Sequence, residues 1–206
     1  MSGRPRVGVF GGTFDPVHLG HLVSAADLQA ALGLDAVLFV PAGTPPHKSG
    51  IAISEDRHRL AMLHLATAGN PAFRVDATDI ERGGLSYTVD LLALLANCLA
   101  PADLWFLMGE DSLRDLPTWR SPERIAQMAR LGVARRPGID ADLDRVEAAL
   151  PGTRGRIDLV DTPLIGISAT DLRARVAAGR TISYQVPAAV ERYILDHGLY
   201  RRPGTD

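Results

Sequence analysis

The chain has 206 residues, of which 46% are hydrophobic and 22% charged, and this is enough to bury the core of one domain over residues 1–206. Its 22 basic and 24 acidic residues give a formal charge of -2 without a block of like charges, so we expect neither a nucleic-acid nor a membrane partner. The longest apolar stretches fall short of the roughly 20 residues that a membrane-spanning helix requires. All but one of the basic residues are arginines, and the exception is Lys48.

The single cysteine, Cys98, excludes an internal disulfide. It lies in the apolar run LLALLANCLA at 91–100, so we expect a buried structural thiol. The N-terminus has no apolar stretch of signal-peptide length before its first pair of glycines. These features predict a protein of the reducing cytoplasm.

Short apolar runs rich in β-forming residues alternate with longer segments of helical periodicity. The strands are predicted at 6–12, 36–43, 73–80, 104–110, 131–136 and 156–161. The helices are predicted at 18–32, 54–68, 88–98, 121–129, 141–150, 168–178 and 187–197. This alternation predicts an α/β fold, with a doubly wound, mostly parallel sheet and helices on both faces. In such folds ligands bind at the carboxyl ends of the strands, where the strand order reverses.

The segment GGTFDPVHLGH (11–21) follows the first predicted strand. Gly11 and Gly12 permit close approach of the backbone, and Asp15 before Pro16 predicts a helix cap followed by the first helical position. The amino end of a helix carries N–H groups and a partial positive charge, so this turn suits an anion. The segment matches neither the dinucleotide-binding G-x-G-x-x-G pattern nor a Walker A loop.

Two histidines of this helix, His18 and His21, are three residues apart and therefore share one face. Together they predict imidazole contacts to phosphate, although each alone is equally well explained by a capping or core role. A zinc site has less support because HLGH lacks the i, i+4 spacing of a helical metalloprotease site. Gly20 is expected to cost about 1 kcal/mol relative to alanine, which a flat ligand packed against the helix would explain.

A second helix start is predicted near the carboxyl end, in GISATDLR (166–173). Ser168 and Asp171 have the spacing of a capping box, and Arg173 follows one turn into the helix. An arginine beside helix N–H groups suits the β- and γ-phosphates of a nucleotide. By itself, however, a capped helix with an arginine is an ordinary structural feature.

The two segments resemble the signatures of nucleotidyltransferases with an H-x-G-H motif, here His18-Leu19-Gly20-His21, and an I-S-S-T/S-x-x-R motif, in which Ala169 replaces the second serine. Those enzymes transfer a nucleoside monophosphate from ATP or CTP to a phosphate-bearing acceptor by in-line attack. The resemblance implies ATP binding by Gly11, Gly12, Thr13, Phe14, His18, Gly20, His21, Gly109, Asp111, Ile167, Ser168, Thr170 and Arg173.

The middle of the chain resembles one branch of that class, the bacterial nicotinate-nucleotide adenylyltransferases. The similar segments are PAGTPPHK (41–48), SYTVDLL (86–92) and GEDSLRDLPTW (109–119). The resemblance implies AMP transfer from ATP to nicotinate mononucleotide, with Mg²⁺ held mainly by the triphosphate and no dedicated metal site in the protein. It implies acceptor binding by His47, Lys48, Tyr87, Thr88 and Trp119, and catalytic roles for His18, His21, Lys48 and Arg173.

These middle residues also have a physical interpretation. Lys48, on a loop stiffened by prolines, can present its ammonium to phosphates. The helix start at Thr88 can bind the nicotinate carboxylate and so separate the acid from the amide. Trp119 either stacks on the pyridine ring or belongs to the core. Arg135 and Arg136 either reach the nucleotide or form a salt-bridged surface pair.

Three alternatives remain at the level of sequence. The first is the same chemistry with nicotinamide mononucleotide or another phosphate acceptor. The second is a module that senses a nucleotide without turnover, and the third is a metal hydrolase. A homo-oligomer also remains open.

Overall fold

The computed structural model describes residues 3–44, 53–135 and 142–201. The strands in these ranges are Arg6–Gly12 (β1), Ala36–Pro41 (β2), Phe73–Val75 (β3), Asp103–Gly109 (β4), Arg130–Arg135 (β5) and Ile157–Asp161 (β6). The α-helices are Leu19–Leu32 (α1), Asp56–Thr67 (α2), Thr78–Arg82 (α3), Thr88–Cys98 (α4), Glu110–Asp115 (α5), Pro122–Met128 (α6), Leu143–Ala149 (α7), Ala169–Ala177 (α8) and Ala188–Asp196 (α9). No helix in the described ranges is both long and apolar enough to cross a membrane.

The strands form one sheet in the order β3-β2-β1-β4-β5-β6, and every pair of neighbours is parallel. The chain builds outwards from β1 to β3, then returns to place β4 on the other side of β1. The strand order therefore reverses between β1 and β4, which is the position where α/β sheets open a crevice for ligands. The predicted doubly wound α/β fold is confirmed.

Alternation along each strand gives the sheet an apolar surface on both faces. In β4, Leu104, Phe106 and Met108 belong to a core beneath α4, α6 and α7. Trp105 and Leu107 belong to a second core beneath α1, α2, α8 and α9. Because side chains alternate across a strand, one buried run supplies both cores, and the carboxyl end of β4 is held between two packed layers.

Two local expectations are wrong. The strand predicted at 73–80 ends at Val75, because the Asp76 carboxylate accepts a 2.9 Å hydrogen bond from the Thr78 N–H and turns the chain into α3. Cys98 is exposed rather than buried. It is the last residue of α4, and the following residue, Leu99, is the one that packs against the core.

Candidate active site

Two cavities open at the reversal point between β1 and β4, and Gly11 at the end of β1 lines both. The first, of about 310 Å³, is the histidine cavity; its lining includes Gly11, His18, Gly20, His21, Gly109, Asp111, Ile167 and Ser168. The second, of about 450 Å³, is the tryptophan cavity; its lining includes Gly11, Gly12, Asp79, Ser86, Tyr87, Thr88, Leu91, Phe106, Trp119, Arg120 and Ile125. The structure thus brings together most of the residues that the sequence assigned to ATP and all of the described ones assigned to the acceptor.

Other predicted site residues lie outside both linings. Thr13, Phe14, Thr170 and Arg173 do not line either cavity, whereas Gly12 lines the tryptophan cavity instead of the histidine cavity. His47 and Lys48 lie outside the described residues, as does Arg136.

The predicted cap of α1 is wrong. His18, rather than Asp15, occupies the cap position, and the helix begins at Leu19. The Asp15 carboxylate is engaged elsewhere: it accepts from the Ser54 N–H at 3.0 Å and from the Tyr200 hydroxyl at 2.6 Å. Burial and this neighbouring carboxylate raise the pKa of Tyr200 above its ordinary 10.0. The turn is therefore tied to the carboxyl-terminal segment of the chain.

The two histidine rings stack, with ring centroids 3.7 Å apart and planes inclined by 26°. The His18 N–H donates to Nδ1 of His21 at 3.2 Å, which fixes His21 from the helix cap. A Cβ added to Gly20 would lie only 3.0 Å from Nδ1 of His18. The glycine therefore gives the His18 ring its place against the helix, a reason internal to the protein that the sequence did not reveal.

Phe14 packs against His21 of the stacked histidine pair, although it does not line the histidine cavity. It has a left-handed backbone (φ 51°), and its ring is buried with its edge to His21, at a centroid distance of 5.0 Å. Its ring also meets Phe10 and Phe39 at 5.8 Å each. The strained turn is thus anchored by aromatic packing on β1 and β2.

The second predicted helix start, at α8, has the expected cap. The Ser168 hydroxyl accepts from the Asp171 N–H at 3.1 Å. Arg173 donates to the Asp15 carbonyl at 2.7 Å, so it joins two segments that are far apart in the sequence. The link brings the α8 start to the β1–α1 turn, and both then border the histidine cavity.

The carboxyl end of β4 supplies the opposite wall. Gly109 is the cap residue of α5, and a Cβ there would lie 2.6 Å from an Asp111 carboxylate oxygen. A side chain at position 109 would therefore displace the Asp111 carboxylate from its place over the strand end. Glu110, which the sequence analysis did not assign to the site, is buried.

Trp119 packs against the core and also lines a cavity, while its stacking on a pyridine ring stays a prediction. Its half-buried indole meets Phe106 edge to face, at a centroid distance of 6.0 Å, and packs against the core. The same indole lines the tryptophan cavity opposite the start of α4 at Thr88. The N–H groups of Thr88 and Val89 belong to the first turn of this helix, where no intrahelical acceptor is available.

Sequence reasoning missed Arg59, which is 1% exposed. Its guanidinium donates to the carbonyls of Thr13 (3.0 Å), Ala42 (2.7 Å) and Ser54 (3.2 Å), and it pairs with Asp56. It therefore ties the turn after β1 to the chain after β2. A signal was present in the sequence, because positions 59, 62, 63 and 67 follow the spacing of one buried helix face.

Asp79, Ser86, Phe106 and Arg120 are among the other lining residues of the tryptophan cavity that were missed. Their positions depend on how α3, α4 and β4 meet, which no local pattern specifies. Of the two alternatives for Arg135, the structure shows the salt bridge, with Asp161 at 2.6 Å. The neighbouring guanidinium lowers the pKa of Asp161 by hydrogen bonding.

A metal ion bound by the protein alone would need several donor side chains close together. In the ranges 3–44, 53–135 and 142–201, no three His, Cys, Asp or Glu residues come together as a candidate site. Asp111 is one carboxylate at the border of the histidine cavity, without a second beside it in that lining. This donor set does not fit a metal bound by the protein alone.

Comparison with known proteins defines the class. A sequence model described as "Cytidylyltransferase-like" matches residues 9–175, and the chain belongs to this family. A Thermomicrobium roseum protein named "Probable nicotinate-nucleotide adenylyltransferase" is 58% identical over 196 residues, covering 95% of this chain and 92% of its own. A protein of the same name from Roseiflexus sp. strain RS-1 is 47% identical, covering 98% of this chain and 100% of its own. The resemblance to nicotinate-nucleotide adenylyltransferases is therefore confirmed.

A solved structure supports the same architecture. Plasmodium falciparum nicotinic acid mononucleotide adenylyltransferase, complexed with NaAD, matches this chain with a TM-score of 0.76 at 18% identity. The match covers 96% of this chain and 98% of that one. At this identity the likeness concerns the fold.

Proposed function

We propose that this protein transfers AMP from ATP to nicotinate mononucleotide and releases deamido-NAD and pyrophosphate. The observation that carries the proposal is the meeting of two unlike cavities at Gly11. One is bordered by paired imidazoles and a capped helix start, which suits a triphosphate. The other is apolar with an accessible indole, which suits an aromatic acceptor. The shared border supports a reaction in which the phosphates of the two substrates meet beside Gly11.

The proposed reaction is a single displacement. An oxygen of the acceptor phosphate forms a bond to the α-phosphorus of ATP, while the bond from that phosphorus to the oxygen bridging the β-phosphorus breaks. Pyrophosphate leaves with that oxygen and its electron pair. No protein nucleophile takes part, so the protein contributes positioning and charge stabilisation.

On the ATP side, we assign stabilisation of the negative charge in the transition state to His18 and His21. Their stacked rings border the histidine cavity. Gly20 lines it too and is proposed to contact the adenosine through its backbone, although the His18 ring takes the space that a Cβ would fill. Asp111 is assigned to a ribose hydroxyl or an adenine-side group. The Leu19 N–H, at the start of α1, already donates to the Gln185 carbonyl and is not available to a phosphate. We therefore assign more of the phosphate binding to the two histidines than to the N–H groups of this helix start.

The remaining ATP contacts are assigned to both helix starts and their turns. Ser168 and Arg173 are proposed to hold the β- and γ-phosphates, with Arg173 kept near the site by its bond to Asp15. The other residues proposed for the ATP site are Gly11, Gly12, Thr13, Phe14, Gly109, Ile167 and Thr170. Thr13, Phe14 and Thr170 line neither cavity, so they are proposed to act through the shape of the two helix starts.

On the acceptor side, Trp119 is proposed to stack on the pyridine ring. The N–H groups at Tyr87 and Thr88 are proposed to receive its carboxylate, which the amide lacks. His47 and Lys48 are proposed to bind phosphates, with Lys48 in a catalytic role.

We further propose that Mg²⁺ arrives with ATP as part of the substrate and supplies charge neutralisation of the triphosphate. The reaction is proposed to take place in the cytoplasm, within one domain of residues 1–206. Small molecules are its proposed partners.

Pyrophosphate release tests this function. The protein is incubated with ATP and Mg²⁺, and with nicotinate mononucleotide, nicotinamide mononucleotide or no acceptor. We expect release that depends on the nicotinate compound, and deamido-NAD in equal amount. Faster pyrophosphate release with nicotinamide mononucleotide would instead identify that compound as the acceptor. Nucleotide binding without any release would support a sensing module instead.

A further inference from the structure

Arg120 holds a defined position at the border of the tryptophan cavity. It directly follows Trp119, and its guanidinium carbon lies 4.6 Å from the centroid of the Tyr87 ring. This cation–π contact orients the side chain across the start of α4. The guanidinium also approaches the Asp90 carboxylate at 3.5 Å, the long limit of a hydrogen bond.

The charges around this cavity make Arg120 distinctive. Among the described residues that line it, Arg120 carries the one positive charge and Asp79 the one negative charge. The Asp79 carboxylate is buried, is paired with Arg82 at 2.8 Å and accepts from the Gly43 N–H at 3.1 Å. The charge of Asp79 is therefore compensated within the protein. Within residues 3–44, 53–135 and 142–201, the carboxylate that Arg120 approaches is that of Asp90, at 3.5 Å.

A ligand carboxylate can replace Asp90 as the partner of Arg120 at little cost. Both side chains are substantially exposed, at 56% and 40%, and exposed ion pairs contribute little to stability. A ligand carboxylate at the cavity would offer the guanidinium the same charge with a better geometry. A guanidinium and a carboxylate can form two parallel hydrogen bonds. A carboxamide cannot replace the carboxylate in this pair, because it has no charge and only one acceptor oxygen.

We propose that Arg120 determines acceptor specificity, binding the carboxylate of the acceptor ring and so favouring the acid over the amide. This inference rests on the proposed function, because it concerns the same acceptor cavity. It adds a charged side chain to the backbone N–H groups of the α4 start as the basis of discrimination. Trp119 and Arg120 are then consecutive residues that bind the ring and its charge.

The test compares the wild type with Arg120→Gln, which removes the charge but keeps most of the stem on Tyr87. Binding of nicotinate mononucleotide and nicotinamide mononucleotide is measured by calorimetry, with a non-hydrolysable ATP analogue present, and kcat/KM is measured for both. We expect the variant to lose roughly tenfold for the acid, mainly in binding and KM, with little change for the amide. Arg120→Lys should retain part of the preference, because the charge remains.

Arg124→Gln is the matched control, since this exposed arginine on α6 lines neither cavity. It should leave both acceptors unchanged. Equal losses for acid and amide in Arg120→Gln, or no loss for either, would overturn the inference. Selective loss of acid binding without any pyrophosphate from the wild type would uphold the inference and overturn the proposed function. Failure of the wild type to bind nicotinate mononucleotide would overturn both.

Discussion

The histidine cavity and the tryptophan cavity share a border but are constructed differently. The first is assembled from segments far apart in the sequence, joined by polar bonds from Asp15 to Tyr200 and Arg173. The second is assembled by packing, with Trp119 on Phe106 and α4 on the sheet. Phosphate binding requires donors fixed by hydrogen bonds, whereas an aromatic acceptor requires a shaped apolar wall. Substitutions in the histidine cavity should therefore affect ATP, and substitutions in the tryptophan cavity should affect the acceptor.

The largest effect should come from Arg59, because it supports both sides. Arg59→Met leaves three carbonyl groups without their donor, and we expect the free energy of unfolding to fall by about 3 kcal/mol. Urea denaturation measures this change. Arg57→Met is the control: the Arg57 side chain is 71% exposed and its partner Glu55 is exposed too, so the substitution should change stability by less than about 0.5 kcal/mol. Equal stability of the two variants would contradict a structural role for Arg59.

His18→Ala should act on turnover. We expect kcat to fall by roughly 100-fold or more if this imidazole stabilises charge in the transition state. Acceptor affinity should change little, since His18 lines only the histidine cavity. Steady-state kinetics test the prediction, with exposed His64→Ala as the unchanged control. Turnover close to normal would leave His18 with its capping role alone.

Trp119→Ala should act on the other cavity. Loss of the stacking surface is expected to raise the KM for the acceptor by roughly tenfold, whereas the KM for ATP should stay the same. Trp119→Phe keeps a ring and should recover part of the loss. An increase in both KM values would show that the indole supports the whole site rather than one substrate.

The smallest expected effect concerns the hydroxyl of Tyr200. Tyr200→Phe removes the donor to Asp15 and should lower the free energy of unfolding by about 1 kcal/mol at neutral pH. Since burial raises the pKa of Tyr200, the folded state holds the phenol proton more tightly than the unfolded chain. Its stabilisation is complete below pH 10.0 and declines as the pH rises above that value.

Urea denaturation at neutral pH and at about pH 11 measures this dependence. The wild type should lose more stability than Tyr200→Phe between the two conditions. Tyr184→Phe, at a side chain that is 93% exposed, serves as the control and should behave as the wild type. A difference between wild type and Tyr200→Phe that stays constant with pH would contradict the proposed burial of this proton.

Much of this site could be predicted from sequence because many of its residues lie directly after a strand or at a helix start, where short sequence patterns are informative. The alternation of strands and helices predicted the sheet, and His18, His21 and Ser168 came from local spacing. Asp15 was wrongly assigned as a cap, since its partners Ser54 and Tyr200 are distant in the sequence. Arg59 and Arg120 were missed for the same reason: their roles arise from contacts between elements, which periodicity does not encode.

The direct transfer of AMP is the central claim, and the configuration at phosphorus tests it. ATP with one sulfur on the α-phosphorus is turned over with nicotinate mononucleotide, and the product dinucleotide is analysed by phosphorus NMR. A single displacement across the border of the two cavities predicts inversion at that phosphorus. Retention, or an AMP group recovered on the protein, would contradict it.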